Sequence, residues 1–168
     1  MDLLVVRHAI AADREAFARS GKDDAERPLT AEGRRKFEKG VRGLRDIVDT
    51  IDVLATSSLV RAIETADILR EAYGVGRAVR LPELAPEAEP ASILGWLERH
   101  RRRSVVAVVG HEPHLSALVE HLLVGRRSEF IDLDKGGACL LSLGASPKRG
   151  DAHLRWLLTA RQLRRLAR

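Results

Sequence analysis

Two stretches of this chain are apolar at nearly every position, and they constrain the fold more than any other feature. Residues 3–6 read LLVV, and residues 104–110 read SVVAVVG. A strand with one face in water alternates apolar and polar residues, whereas a run that is apolar throughout is typical of a strand covered on both faces. The sequence therefore predicts a sheet whose central strands are buried between two layers of helices.

Amphipathic helical patterns alternate with further strand candidates along the rest of the chain. Thr30 is the expected N-cap of the first long helix, Ser58 caps the second, and Pro113 suits the first turn of another. The helical patterns cover residues 28–48, 59–73, 90–100 and 113–125, and the additional strands cover 52–57, 78–84, 138–143 and 153–158. This alternation predicts a three-layer α/β sandwich with a mostly parallel central sheet and helices on both faces.

Three segments complete this plan. Residues 13–27 are polar and are expected to form a surface loop that overhangs the edge of the sheet. The last two strands are expected to pair at an edge of the sheet. Residues 161–168 are basic, but Leu163 and Leu166 lie three positions apart, which favours a short helix packed on the domain.

Length and composition predict one domain spanning residues 1–168. The chain is 45% hydrophobic and 32% charged, as expected of a globular protein in water. It contains no apolar stretch of about 20 residues, which a membrane-spanning helix requires. The start, MDLLVV, lacks the basic residues of a secretory signal. The single cysteine, Cys139, lies in an apolar run, which favours buried packing over a catalytic thiol. A cytoplasmic protein is expected, with no membrane partner.

The net charge of +5 allows two interpretations. Arginine-rich surfaces attract phosphate-bearing partners, because guanidinium groups bind phosphate through two hydrogen bonds. Scattered arginines also result simply from solvated helix faces. Basic clusters occur at 99–103 and 161–168, but only 4% of residues are aromatic. Binding of nucleic acid by base stacking is therefore not favoured.

Polar residues follow the carboxyl ends of the predicted strands, where ligands of α/β sheets bind. Arg7 and His8 follow the first strand, Arg61 begins the helix after the second, Glu83 follows the third and His111 follows the fourth. Taken singly, each of these residues could be an ordinary polar residue at the end of a strand or on the surface. Together they predict a site at one edge of the sheet.

Two arginines with two histidines suit a phosphoryl group. Arginine neutralises the phosphoryl oxygens, and a neutral imidazole can attack phosphorus. Neighbouring positive charges disfavour imidazolium and so keep the histidine nucleophilic. A zinc site fits poorly, because it needs three or four close ligands and arginines would repel the ion. We therefore expect no metal and no cofactor.

Five ordered motifs resemble the histidine phosphatase superfamily, which has the phosphoglycerate mutase-like fold. They are VVRHAIA, RPLTAEG, TSSLVRAIETA, LPELAP and VVGHEPHL, spanning residues 5–115. Among its branches, the chain is most similar to the small SixA-type phosphohistidine phosphatases. Many larger relatives read RHG where this chain reads RHA, and they carry lid-forming insertions that this chain lacks.

The resemblance implies roles for individual residues. His8 would be the nucleophile that becomes phosphorylated. Arg7, Arg61 and His111 would hold the phosphoryl group. The family works without a metal, through a phosphohistidine intermediate. Two carboxyl residues are also candidates: Glu83 as the general acid, and Glu112, whose backbone N–H at a helix start is expected to face the phosphoryl oxygens.

Three functions remain open on the sequence alone. The first is a phosphatase acting on phosphohistidine in a partner protein, and the second is a phosphatase of a small phosphomonoester or nucleotide. The third is a non-catalytic module that binds a phosphorylated partner. Simple binding does not require a nucleophile, so the combination of His8 with both arginines and His111 favours an enzyme.

Overall fold

A computed structural model describes residues 1–167 and contains a six-stranded sheet. The order across the sheet is β3-β2-β4-β1-β5-β6. The four strands β1, β2, β3 and β4 are parallel to one another. β5 is antiparallel to β1, and β6 pairs with β5 at one edge of the sheet, as predicted. The strands are β1 (Asp2–Arg7), β2 (Val53–Thr56), β3 (Val79–Arg80), β4 (Val105–Gly110), β5 (Ala138–Ser142) and β6 (His153–Leu158).

Helices cover both faces of this sheet. They are α1 (Arg14–Ala18), α2 (Ala31–Leu44), α3 (Val60–Tyr73), α4 (Leu94–Arg99), α5 (His114–Val124) and α6 (Ala160–Leu166). Short 3₁₀ turns lie at Asp24–Glu26, Pro82–Leu84 and Pro90–Ile93. Thr30 caps α2 as predicted, with its hydroxyl accepting a hydrogen bond from Gly33 N at 2.8 Å. None of the described helices combines the length and hydropathy needed to cross a membrane.

The two central strands separate two apolar cores. Leu4 and Val6 of β1 face a core built with α2, α3 and α6, whereas Leu3 and Val5 face a core built with α4 and α5. All four side chains are almost completely buried. Alternate residues of a strand point to opposite faces, so a strand between two helix layers must be apolar throughout. The three-layer α/β architecture predicted from the sequence is confirmed.

The register of the parallel strands brings the site residues to one edge. Arg7, the last residue of β1, pairs with Gly110 of β4, and Thr56 of β2 pairs with Val109. The next residue, His8, donates its backbone N–H to Gly110 O at 3.0 Å. The chain therefore leaves β1, β2 and β4 at nearly the same level.

Two local predictions were wrong. The third strand was expected to span residues 78–84, but it ends at Arg80 and a 3₁₀ turn begins at Pro82, because proline has no N–H to continue a strand ladder. Ser58 was expected to cap α3, but the N-cap is Leu59, without a side-chain cap. The hydroxyl of Ser57 instead accepts a long bond, 3.4 Å, from Leu59 N.

Two further segments differ from their predictions, and the predicted C-terminal helix is confirmed. Residues 13–27 contain α1 and a 3₁₀ turn, each begun by an aspartate, Asp13 and Asp23. Pro113 lies one position before α5, at its N-cap. The C-terminal segment forms α6, which packs on α2 through Leu163. Its final residue, Arg168, lies outside the described residues.

Candidate active site

A cavity of about 560 Å³ opens at the carboxyl edge of the parallel strands. It brings together five of the residues predicted from the sequence: Arg7, His8, Arg61, His111 and Glu112. Its other lining residues are Ala11, Ala12, Asp13, Arg14, Arg27, Pro86 and Lys135. Glu83 does not line it. Five cationic side chains around one cavity make it suited to an anionic ligand.

The His8 ring is held by the backbone of its neighbour. Nδ1 lies 2.7 Å from the carbonyl oxygen of Ala9, which can only accept, so Nδ1 carries the proton and Nε2 keeps its lone pair. Burial, together with the charges of Arg61 and Arg7, lowers the pKa of His8 to about 4, although the bond to Ala9 opposes this shift. The ring is therefore neutral at neutral pH and carries a nucleophilic nitrogen.

His111 lies opposite His8 and has its own partner. The two ring centroids are 5.1 Å apart. His111 Nε2 lies 2.6 Å from the hydroxyl oxygen of Ser57, and the direction of this hydrogen bond depends on the tautomer. Burial and the nearby His8 and Arg61 lower the pKa of His111 to about 3. Ser57 orients His111 directly, a role that the sequence did not assign, although Ser57 stands at a strand exit like the others.

Both predicted arginines are anchored at one end of the guanidinium, and Arg61 is buried whereas Arg7 is half-buried. Arg7 Nη1 donates to Leu133 O at 2.6 Å, and Arg61 Nη1 donates to Asp24 O at 2.9 Å. Within residues 1–167, the Nε atom of each is buried without a hydrogen-bond partner. A buried donor without a partner is costly, so both Nε atoms are candidates to bind an acceptor on a ligand.

Further charged residues come from segment 13–27, which was predicted to overhang this edge of the sheet, although no ion pair was predicted there. Asp24 pairs with Arg61 Nη2 at 3.2 Å and with Arg27 Nε at 2.8 Å. Burial acts to raise the pKa of Asp24, but the Arg27 hydrogen bond and the charges of Arg61, Arg27 and Arg14 outweigh it and lower the pKa. Arg27 also donates to Ala12 O at 2.8 Å. Asp24 begins a short 3₁₀ turn and Arg27 follows it, and a turn this short has no periodic pattern that would reveal it.

The two candidate carboxyl groups differ in position. Glu112 precedes α5 and lines the cavity. Its Oε1 is buried without a partner in the described part of the chain, and burial raises its pKa. Glu83 lies in the 3₁₀ turn Pro82–Leu84, and its Oε2 is also buried without a partner. Of the two, only Glu112 reaches the cavity wall. The acid role expected of Glu83 remains a prediction.

Comparison with known proteins decides the family. Residues 3–85 match the model of the histidine phosphatase superfamily, branch 1. The chain is also 32% identical over 148 residues to an uncharacterized protein of a Picosynechococcus strain, with 87% of each chain covered. The chain belongs to the histidine phosphatase superfamily. The resemblance found in the five motifs is thereby confirmed.

Solved structures of other members share the whole fold. The protein histidine phosphatase SixA, in complex with tungstate, superposes with a TM-score of 0.80 at 23% identity, covering 97% of this chain and 99% of SixA. The alpha-ribazole phosphatase of Shigella flexneri gives a TM-score of 0.72 at 19% identity, covering 95% and 97%. At these identities the likeness establishes the fold of this histidine phosphatase superfamily member, and its substrate has to be argued from the site.

Proposed function

We propose that this chain is a metal-independent phosphatase that removes a phosphoryl group from a phosphohistidine in a partner protein. Membership in the superfamily supports a phosphatase. The observation that carries the proposal is the environment of His8, whose Nδ1 is bonded to Ala9 O and whose ring shares a cavity with Arg7, Arg61 and His111. This arrangement is typical of an activated nucleophile next to cationic side chains that bind phosphoryl oxygens.

The reaction has two steps. His8 Nε2 attacks phosphorus, the bond from phosphorus to the substrate imidazole breaks, and the leaving nitrogen takes a proton. Water then attacks the phosphoryl group on His8, which releases inorganic phosphate and restores the free imidazole. The guanidinium groups of Arg7 and Arg61, whose side chains line the cavity, would hold the phosphoryl oxygens in both steps.

The leaving group decides how much acid catalysis is needed. An imidazole leaves easily once protonated, whereas the alkoxide of a phosphate ester needs a well-placed acid. Two carboxyl residues line the cavity, Asp13 and Glu112, and burial raises the pKa of Glu112. The sequence alternative, Glu83, would have to move to reach the cavity. A phosphohistidine makes the smaller demand on such a carboxyl group, which favours it over a phosphate ester as substrate.

A second candidate is a phosphatase of a small phosphomonoester or nucleotide. It is favoured by the two outer cations of the cavity, Arg14 and Lys135, which exceed what a single phosphoryl group requires. A substrate with a second anionic group would use them.

One comparison of substrates tests these candidates. A phosphorylated histidine-containing domain and a panel of small phosphate esters are each incubated with wild type, His8→Ala and His153→Ala, an exposed histidine on β6 that serves as the matched control. We expect turnover of the protein substrate, lost in His8→Ala and kept in His153→Ala. Preference for an ester would support the second candidate. Binding without His8-dependent turnover would support a non-catalytic module.

The same assay with EDTA tests metal independence. We expect unchanged turnover, because the proposed nucleophile and the proposed phosphoryl-binding groups all belong to the protein itself. Loss of activity that a divalent cation restores would contradict this part of the proposal.

A further inference from the structure

The segment that connects α5 to β5, residues 125–137, has no helix or strand, yet it reaches into the site. Leu133 is 1% exposed, and its carbonyl oxygen accepts the 2.6 Å bond from Arg7 Nη1. Gly136 N donates to the carbonyl oxygens of Arg7 and His8. The position of the Arg7 guanidinium thus depends on a stretch of chain that no sheet or helix ladder holds in place.

A single buried carboxylate holds the first half of this segment. Glu120 of α5 is 1% exposed, and its two oxygens accept four consecutive backbone N–H groups. Oε2 accepts from Ser128 and Glu129 at 2.6 and 2.9 Å, and Oε1 accepts from Phe130 and Ile131 at 2.7 and 3.0 Å. Burial acts to raise the pKa of Glu120, but these four bonds outweigh it and lower the pKa to about 2. The group is therefore a permanent anion with all acceptor positions used.

We infer that Glu120 is a positioning residue for Arg7, acting through the 128–133 backbone. The inference rests on the proposed role of Arg7 in holding a phosphoryl group. The carboxylate fixes Ser128–Ile131, and Leu133, two residues further on, presents the carbonyl that orients the guanidinium. Nothing in the reaction requires Glu120 to touch the substrate.

Glutamine at position 120 is the sharpest test, because it keeps the shape and removes one acceptor. Its amide NH₂ would face two backbone N–H donors, whichever way the group is turned, so two of the four bonds are lost. We expect Glu120→Gln to weaken vanadate binding by about tenfold, since one charge-assisted contact to the oxyanion is misplaced. Glu129→Gln is the matched control, because Glu129 lies in the same segment but its exposed side chain pairs with Arg127.

A double-mutant cycle separates positioning from general loss of stability. In an Arg7→Ala background, Glu120→Gln should weaken vanadate binding no further, because the contact it controls is already gone. Val119→Ala, a fully buried neighbour on α5, should lower the melting temperature without changing vanadate affinity. Equal losses from Glu120→Gln in both backgrounds, or no loss in the wild-type background, would overturn the inference.

Hydrogen exchange on the wild-type protein tests the same coupling without a variant at position 120. Coupling between two sites is reciprocal, so vanadate should slow exchange of the amides of residues 128–131 in wild type but not in Arg7→Ala. Unchanged exchange in wild type would overturn the inference even if Glu120→Gln fails to fold. Wild type that binds no vanadate at all would instead overturn the proposed function, and this inference with it.

Discussion

The imidazole rings of His8 and His111 lie 5.1 Å apart, at the exits of the neighbouring strands β1 and β4. One ring is tied to a backbone carbonyl and the other to the hydroxyl of Ser57. Two imidazoles this close, beside buried arginines, cannot both be charged at low cost. Both are therefore held neutral, which leaves His8 free to act as a nucleophile.

This electrostatic arrangement predicts the titration of His8. Its ring should stay neutral as the pH falls from neutral, and should protonate with a midpoint of about 4, the pKa that burial and the two arginines give it. Chemical shifts of the His8 imidazole, followed by NMR across this range and assigned by comparison with His8→Ala, provide the measurement. A midpoint near the ordinary value of 6.5 would show that the ring is neither desolvated nor next to the arginines.

The lowered pKa values of His8 and His111 also predict how the stability of the protein depends on pH. In the unfolded chain both histidines take up protons near 6.5, whereas in the folded protein His8 does so at about 4 and His111 at about 3. The unfolded state therefore binds more protons between these values, and the free energy of unfolding should fall as the pH drops from 6.5 towards 4. Urea unfolding at a series of pH values measures this slope. His111→Ala should make the dependence of the unfolding free energy on pH shallower. An identical slope in the variant would contradict a lowered pKa of His111 in the folded protein.

Arg61 gives a prediction about oxyanion affinity. Replacing it with alanine should weaken vanadate binding by roughly 10- to 100-fold, because a charge-assisted contact to an anion contributes about 1.5–3 kcal/mol. Isothermal titration calorimetry measures the affinity. Arg70→Ala is the control on the same helix, because Arg70 pairs with Asp67 at 3.3 Å away from the cavity. If Arg61→Ala binds vanadate as wild type does, Arg61 is not part of the phosphoryl site.

Two glycines of α2 give opposite predictions for stability. A Cβ at Gly43 would lie 2.1 Å from the carbonyl oxygen of Leu163 in α6, whereas one at Gly40 would meet nothing closer than 3.7 Å. Gly43→Ala should therefore lower the free energy of unfolding by about 1–3 kcal/mol. Gly40→Ala should raise it by up to about 1 kcal/mol, because alanine is the better helix former. Urea unfolding distinguishes the two, and equal effects would contradict the close packing of α6 on α2.

The features that could be predicted from the sequence are those set by the spacing of apolar residues and by the direction of the strands. Apolar runs identified the central strands, and the rule that parallel strands end at one edge placed Arg7, His8 and His111 together. The third strand was overestimated because its apolar pattern continues past Pro82, which cannot stay in the ladder.

The rest of the site comes from irregular segments. Arg27 reaches the cavity from a loop, Asp24 pairs with Arg27 and Arg61, and Glu120 acts through four backbone N–H groups. No spacing rule predicts such contacts, because they depend on the path of a loop and not on the repeat of a helix or strand. For Arg27, the only sequence signal is the RPLTAEG motif, which assigns the residue no role.

Detection of a phosphoryl intermediate on His8 tests the proposed catalysis most directly. The protein is mixed with a phosphorylated histidine-containing domain, quenched in alkali during turnover, digested and analysed by mass spectrometry. We expect a single phosphoryl group on the peptide that contains His8, lost on longer incubation as inorganic phosphate appears, and absent in His8→Ala. Steady turnover with an unmodified His8, or with His8→Ala as active as wild type, would contradict catalysis through a phosphorylated His8.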